Sequence, residues 1–287
     1  MQTDLFGNKR YKVNLHAHTT LSDGKKTPAE VLQFYRANGY DAIVLTDHWF
    51  YGEGEETHDF TILSGMECNV GGSDSLDGVY HIVCAGSRYA PAVKPNMPVQ
   101  KVVDAIRAAG GLAILAHPAW SLNTPEEILK LKGLSAVEIY NTVSGVHMSR
   151  RADSSLIVDM LATRGCYLPL IAADDAHYYD NDAGENWIMV RAEDNAREYL
   201  LPAIRKGDFY ATQGPEIHLA RDGNEFVVTS SPVQEIIFHS NLVWNHRVFE
   251  GDGITNARYT PRPNERYIRA EIVDRDGKRA WSQIIPV

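Results

Sequence analysis

The order of segments along these 287 residues predicts an α/β fold: a mainly parallel sheet, open or closed into a barrel, followed by a small antiparallel β domain. Three observations predict it. From about residue 11 to 210, short apolar runs alternate with helix-patterned stretches, the signature of strand-crossover-strand units. Metal-competent polar groups stand repeatedly at the C-terminal ends of those runs, where α/β barrels build their active sites. From about Thr212 the texture changes to short alternating runs divided by turn signals.

The first apolar run, residues 13–15, ends in His16-Ala17-His18. Thr27-Pro28-Ala29-Glu30 starts a helix, with Thr at the cap and Pro in the first turn, and Asn38-Gly39 stops it. Ala42-Ile43-Val44-Leu45 reads as a buried strand ending in Thr46-Asp47-His48. Thr61-Ile62-Leu63 leads into Gly65-Met66-Glu67, and Tyr80-His81-Ile82-Val83-Cys84-Ala85 is a further strand. Residues 101–109 are helical in pattern up to Gly110-Gly111, and residues 112–116 form a strand ending in His117-Pro118. Residues 136–140 end in Asn141, residues 168–172 lead to Asp174-Asp175-Ala176-His177, and residues 193–206 read as a last helix. The later runs, 216–219, 226–229, 235–239, 267–273 and 281–285, are separated by turns such as Asp222-Gly223-Asn224 and Asp276-Gly277-Lys278. A catalytic domain over residues 1–212 and a small β domain over 213–287 follow as the expected division.

A net charge of −9 argues against an extended nucleic-acid surface or an anionic-membrane surface. Cys68, Cys84 and Cys166 lie in or beside apolar runs without Cys-x-x-Cys spacing, which fits a reducing compartment better than a disulfide framework. Met1-Gln2-Thr3-Asp4-Leu5-Phe6 lacks the basic start and apolar core of a signal peptide, and no run approaches a membrane span. The expectation is a soluble cytoplasmic protein, of open oligomeric state.

Collected in order, the candidate metal ligands are His16, His18, Asp23, His48, Glu67, His81, His117, Asp175 and His177. Residues two apart on a strand share a face, so His16-x-His18 and Asp175-x-His177 can each aim both side chains at one place. A mixed imidazole and carboxylate set suits Zn, Mn or Fe better than Ca or Mg. Nine groups are too many for one ion and about right for two or three divalent ions, with Glu67 as the natural bridge through its two oxygens. Taken singly, most of these residues have a plainer explanation. A lone His81 is more often a hydrogen-bonded core residue, Asp23 before Gly24 is usually a turn residue, and His117-Pro118 could simply open a loop. Asp47 and Asp174 read as supporting or capping groups. Together the plain explanations need an independent coincidence at every strand end, and the metal reading needs one cause.

The string Asn14-Leu15-His16-Ala17-His18-Thr19-Thr20-Leu21-Ser22-Asp23-Gly24 resembles the opening motif of the PHP (polymerase and histidinol phosphatase) superfamily. Thr46-Asp47-His48, Gly65-Met66-Glu67, His81, Ala116-His117-Pro118 and Asp175-Ala176-His177 resemble its later motifs, in the right order, over roughly residues 11 to 212. The resemblance implies a distorted seven-stranded (β/α) barrel with up to three metal ions at its C-terminal face. It implies that His16, His18, Glu67 and Asp175 hold one ion, that Glu67, His81 and His117 hold a second, and that Asp23, His48 and His177 hold a third. All nine positions carry a liganding type. More loosely, Gly207-Asp208-Phe209-Tyr210-Ala211-Thr212 and the tail ending Lys278-Arg279-Ala280-Trp281-Ser282 resemble the carbaryl-hydrolase-like members.

The expected chemistry is hydrolysis of a small phosphorylated metabolite, a phosphomonoester or phosphodiester with nucleotides among the candidates, by attack of a metal-bridging hydroxide. Glu67, Asp175 and His177 are its expected catalytic residues. Arg150, Asn141 and His147 are the expected substrate contacts, since they follow a strand end and a phosphate calls for a planar cationic fork. Against this, an arginine doublet such as Arg150-Arg151 opening a helix is most often a solvated face. Asp47, His147 and a metal-bound water are all open as the acid for the leaving group. His58 reads as a surface residue, Asn69 as a substrate contact or a local hydrogen bonder, and Trp281 and Tyr267 as packing. A second reading is hydrolysis of a carbamate, amide or carboxylic ester. An arginine at the substrate oxygens would favour phosphate, and an apolar pocket without a cation would favour the carbonyl. A third, a non-catalytic structural module, is disfavoured by the full ligand set.

Overall fold

The structure, a computed structural model, describes residues 1–72, 78–244 and 246–287. In chain order its elements are β1 (Gln2–Thr3), β2 (Lys9–Asn14), α1 (Pro28–Ala37), β3 (Ala42–Val44), β4 (Glu55–Glu56), β5 (Thr61–Leu63), β6 (Gly65–Val70) and β7 (Tyr80–Ala85). Then come α2 (Val99–Ala108), β8 (Leu112–Leu115), α3 (Pro118–Ser121), α4 (Pro125–Ile128), β9 (Ala136–Asn141), α5 (Thr142–Val146), α6 (Ser155–Thr163) and β10 (Leu170–Ala173). The remainder is β11 (Trp187–Arg191), α7 (Arg197–Lys206), β12 (Phe209–Thr212), β13 (Ile217–Asp222), β14 (Glu225–His239), β15 (Val248–Tyr259), β16 (Tyr267–Val273), β17 (Arg279–Trp281) and β18 (Ile285–Pro286).

The helix starts follow from side-chain chemistry. The Thr27 hydroxyl accepts from the Glu30 amide while the Glu30 carboxylate accepts from the Thr27 amide, a capping box that satisfies two otherwise orphaned donors of α1. Buried Val31 and Tyr35 then face the sheet. At the other end of the barrel region Gly207 closes α7 in the left-handed conformation that costs glycine least.

Two sheets carry the fold. In one, β10, β9, β8, β7 and β6 are neighbours; β8–β9 and β9–β10 are parallel, β6–β7 and β7–β8 antiparallel. In the other, β2–β3 and β3–β5 are parallel, and from β2 the sheet runs on through antiparallel β11, β12, β17, β16, β14 and β13. At one end, two isolated parallel bridges, Ala17 to Ala176 and His48 to Glu67, bring the margins of the sheets together. The expectation of a mainly parallel sheet, open or closed into a barrel, holds in its α/β class and is corrected in strand direction: both sheets are mixed, and their ladders meet at one end through isolated bridges. Connection length explains part of this. Residues 71–79 between β6 and β7 are fewer than the about a dozen a parallel crossover needs, so that pair is antiparallel.

Besides the short β1, β4 and β12, two longer strands escape the sequence pattern. β11 interrupts what reads as a loop before the last helix. β15 is exposed along most of its length, so it lacks the apolar alternation that marks a strand. The runs at 226–229 and 235–239 are one strand, β14, which passes Pro232 where its pairing with β15 shifts register. The apolar interior forms one large cluster around β2 and β6–β10 and a second around β13–β16. β12 and β17 link them, pairing Ala211 with Trp281 across residue 212. Trp281 is fully buried and stacks on Tyr140 at 5.4 Å, and buried Tyr267 packs near Tyr167, so both serve packing. Among the described residues no helix is long and apolar enough to cross a membrane.

Candidate metal centre

The extended chain after β2 places His16 and His18 on one side. Its backbone is clamped from both flanks: the His18 amide donates to Ala176 O (2.9 Å), the Asp175 amide to His16 O (3.0 Å), and the Thr46 amide to Ala17 O (2.8 Å). Gly24 lies so close that a Cβ there would stand 2.5 Å from the His18 carbonyl oxygen, and this tight turn carries Asp23 back beside His18 and His177. His117, after β8, and Asp175, after β10, both hold positive φ, at 28° and 54°. Such strain on residues other than glycine collects at functional sites, at a cost of order 1–3 kcal/mol each.

Around His16 Nε2 and His18 Nε2, which are 3.3 Å apart, Asp175 Oδ1 lies 3.1 Å from each. Glu67 Oε2 lies 3.4 Å from His16 Nε2 and 3.2 Å from His18 Nε2. Ligand atoms about 2.0–2.2 Å from one tetrahedral ion stand roughly 3.3–3.6 Å apart, so these five separations, 3.1–3.4 Å, come close to five of the six edges of a coordination tetrahedron. Buried Asp175 Oδ1 has no hydrogen-bond partner, nor has His48 Nδ1, the pattern expected of atoms reserved for a cation. The donor set and these orphaned atoms fit divalent metal.

Glu67 divides its oxygens. Oε1 faces His81 Nδ1 at 2.8 Å and His117 Nε2 at 3.5 Å, while Oε2 faces His16, His18 and, at 3.3 Å, His48 Nδ1. A third group lies outward: Asp23 Oδ2 is 3.4 Å from His177 Nε2 and 3.7 Å from His48 Nε2, and Asp23 Oδ1 is 3.3 Å from His18 Nδ1. His177 Nδ1 donates to the Asp175 carbonyl (2.7 Å), leaving Nε2 free for that group. Of the five groups of described residues whose ligand atoms lie close enough to hold an ion, three meet here: His16/His18/Glu67/Asp175, His48/Glu67/His81, and His18/Asp23/His48/His177, so the second group brings His48 beside Glu67 and His81 where the resemblance implied His117. Burial alone would neutralise these groups. Facing one another, the carboxylates raise His16 and His18 well above the usual imidazole range, and the imidazoles hold Glu67 well below the usual carboxylate range.

The supporting carboxylates are engaged elsewhere. Asp47 accepts from the Thr19 amide (2.8 Å), the Thr19 hydroxyl (2.8 Å) and the Ser22 hydroxyl (2.8 Å), fixing the loop that carries Asp23. Asp174 accepts from Tyr35 OH (2.8 Å) and the amides of Gly184, Glu185 and Asn186; burial raises its carboxyl and these donors restrain the rise, leaving it at about 6.

The expected substrate contacts are spread out. A cavity of about 110 Å³ opens on the cluster, and besides candidate ligands it is lined by Trp120, Val143, Ser144 and Met148. No lysine or arginine lines it among the described residues. Arg150 is exposed and spends a guanidinium N–H on Gly145 O (3.0 Å), and Arg151 is exposed too. Asn141 is buried behind the cluster and donates to Asp175 Oδ2 (3.2 Å). His147 follows α5 between pocket-lining Ser144 and Met148; its Nε2 pairs with Asp180 Oδ1 (2.7 Å) and its ring lies 4.3 Å from that of Tyr178. His58 is exposed, and Asn69 accepts from Trp49 Nε1.

The sequence reading missed Glu138 and Trp120. Glu138 is fully buried within β9 and 2.8 Å from His16 Nδ1; a charge inside an otherwise apolar strand was the signal. Trp120 packs edge-on against His117 (4.9 Å) and His81 (5.6 Å).

No family model matches the chain, and no curated protein matches it at a significant level. Among solved structures it is similar to a two-domain protein from Bacteroides vulgatus containing a predicted PHP-like metal-dependent phosphoesterase, with TM-score 0.57 and 14% identity over 100% of this chain and 97% of that one. An amidohydrolase from Chromobacterium violaceum matches 60% of this chain and 89% of its own, with TM-score 0.46 and 18% identity. The first similarity shows a fold shared with a PHP-like two-domain protein over the whole chain.

Proposed function

We propose that this chain is a metal-dependent hydrolase and that its substrate is a small phosphoric ester. The observation that carries the reading is the set of near-tetrahedral separations around His16, His18, Glu67 and Asp175, flanked by two further ligand groups that share Glu67 and His48. Divalent ions held there supply Lewis acidity, a water of lowered pKa and, against three carboxylate charges, a positive floor suited to a phosphoryl anion.

The chain's own residues supply the rest. Glu67, with one oxygen toward each neighbouring group, fixes the spacing between adjacent positions. Asp175 and His177 close the cluster from the far strand end. Trp120 and Met148 contribute apolar surface to the cavity wall. His147, whose Nε2 pairs with Asp180 Oδ1 and which follows pocket-lining Ser144 in the chain, is our candidate to give a proton to a departing alkoxide.

A second reading is a carbamate, amide or carboxylic ester substrate, favoured by a lining without lysine or arginine. The fold neighbour from Bacteroides vulgatus, described as containing a phosphoesterase, supports the first reading. A panel of Mn- and Zn-loaded protein on p-nitrophenyl phosphate, bis-p-nitrophenyl phosphate, nucleotides, histidinol phosphate and an aryl carbamate decides between them. Release from a phosphorylated compound, lost with chelator and restored by metal, is expected. Release from the carbamate alone would install the second reading, and turnover indifferent to chelator would sink both.

A further inference from the structure

We infer that Glu138 is the positioning residue of the metal centre: one buried carboxylate that sets the tautomer of His16 and the placement of His117 and Asp175 together. The inference rests on the metal-binding reading above. It adds a residue that is no ligand itself.

The geometry is closed on all sides. Glu138 is fully buried in the middle of β9. Oε1 lies 2.8 Å from His16 Nδ1. Oε2 accepts from the His117 backbone amide (2.8 Å) and from Asn141 Nδ2 (2.8 Å). The same Asn141 amide nitrogen reaches Asp175 Oδ2 at 3.2 Å. The His117 and Asn141 amides facing the carboxyl are donors, so Glu138 serves as their acceptor and takes the Nδ1–H of His16. A cation that displaces the second imidazolium proton would then find the lone pair on Nε2, the atom aimed at Asp175, Glu67 and His18. The backbone amide Glu138 holds belongs to a residue at φ 28°, a conformation that needs an external restraint to persist. Glu138 therefore reaches three strand ends, those of β2, β8 and, through Asn141, β10.

This arrangement makes Glu138→Gln an unusually informative change. The shape is kept, but one oxygen becomes an NH2 donor. If that donor faces His117 N–H and Asn141, three donors converge on one spot. If it faces His16 Nδ1, the ring must carry its proton on Nε2, and the atom meant for metal is blocked. Neither amide orientation satisfies the site.

The experiment is metal content per full-length chain, read by mass spectrometry after equilibration with zinc in a graded chelator series, for wild type and Glu138→Gln. The expected result is roughly 10- to 100-fold weaker retention at the inner group of His16 and Asp175, with the outer ion at Asp23 and His177 retained as in wild type. Equal retention of every ion by both proteins overturns the inference, as does uniform loss of all ions with a lowered melting temperature, which is what a merely structural role predicts. Should the variant fail to fold, the zinc-loaded wild type decides by nitrogen-15 histidine spectra. A hydrogen-bonded Nδ1–H on His16 supports the role, and His16 coordinated through Nδ1 overturns it. A wild-type chain that takes up no metal sinks the hydrolase reading along with it, whereas the other adverse results sink the Glu138 role alone.

Discussion

His81 Nδ1 stands 2.8 Å from Glu67 Oε1, while His18 Nε2 stands 3.2 Å from the other oxygen of the same carboxylate. One fully buried side chain thus belongs to two ligand groups at once. Glu67→Gln replaces one of those oxygens by a donor that can hold nothing. The expected outcome is at least one fewer metal ion per chain and a turnover loss of roughly 100-fold or more, the upper end of what orienting residues alone cost. An unchanged metal content measured by mass spectrometry removes the bridging role.

Gly24→Ala tests how the loop delivers Asp23. Its Cβ would meet the His18 carbonyl oxygen at 2.5 Å and the Thr19 nitrogen at 2.7 Å, and both are backbone atoms that cannot rotate away. The turn must move, carrying Asp23 from His177 and His48. Denaturant melts should show a loss of about 1–3 kcal/mol, typical of overpacking, and titration with zinc should show the outer ion weakened before the inner ones.

Asp4 supplies a pH-dependent element far from the metal centre. Burial raises its carboxyl, but the Arg10 guanidinium (2.8 Å) and the amides of Asn8 and Phe6 outweigh burial and hold it at about 2, against 3.8 unperturbed. Because the folded value is the lower one, its contribution is fully present above about pH 4 and fades as pH falls through 2. At about 1.4 kcal/mol per unit the contribution is about 2 kcal/mol. Urea melts of wild type and Asp4→Asn should differ by that order at pH 6, and the difference should shrink below pH 4. A difference that is flat with pH contradicts the assignment.

Arg269 is fully buried in β16 and grips Asp159 of α6 through Nε (2.8 Å) and Nη2 (2.6 Å), with Tyr267 OH on the same carboxylate (3.0 Å). Asp159→Asn leaves an interior guanidinium without its main counter-charge, a change that typically costs 3–5 kcal/mol, so a loss of about 3 kcal/mol is expected in denaturant melts. A variant within about 0.5 kcal/mol of wild type would show that the ion pair does not hold α6 to the C-terminal strands.

The legibility of this site in the sequence has a physical basis. His16, His48, His117 and Asp175 each end an apolar run, so strand periodicity alone places them at one edge of the sheets. Glu138 breaks that rule. It lies inside its strand, and its partner His16 is 122 positions away, so only the folded register reveals what it balances. Arg150 is the opposite case: a cation near a strand end is easily read, but the fold leaves it exposed, outside the cavity lining and bonded to Gly145 O. Strand direction was hidden as well, because an apolar run reads alike in a parallel or an antiparallel ladder, and exposed β15 carried no pattern to read.

At the ligand end the two sheets meet through isolated parallel bridges, Ala17 to Ala176 and His48 to Glu67, beside an antiparallel one from Gly52 to Gly65, and candidate ligands sit on both sides of the first two. Among the described residues that seam is joined by isolated bridges and not by a continuous ladder. Cations drawing Glu67, His48, His18 and Asp175 inward would act as its fasteners, so the free energy of metal uptake also closes the architecture. Amide exchange of the strand ends flanking the seam should slow on loading, and the temperature at which the chain opens should climb with occupancy.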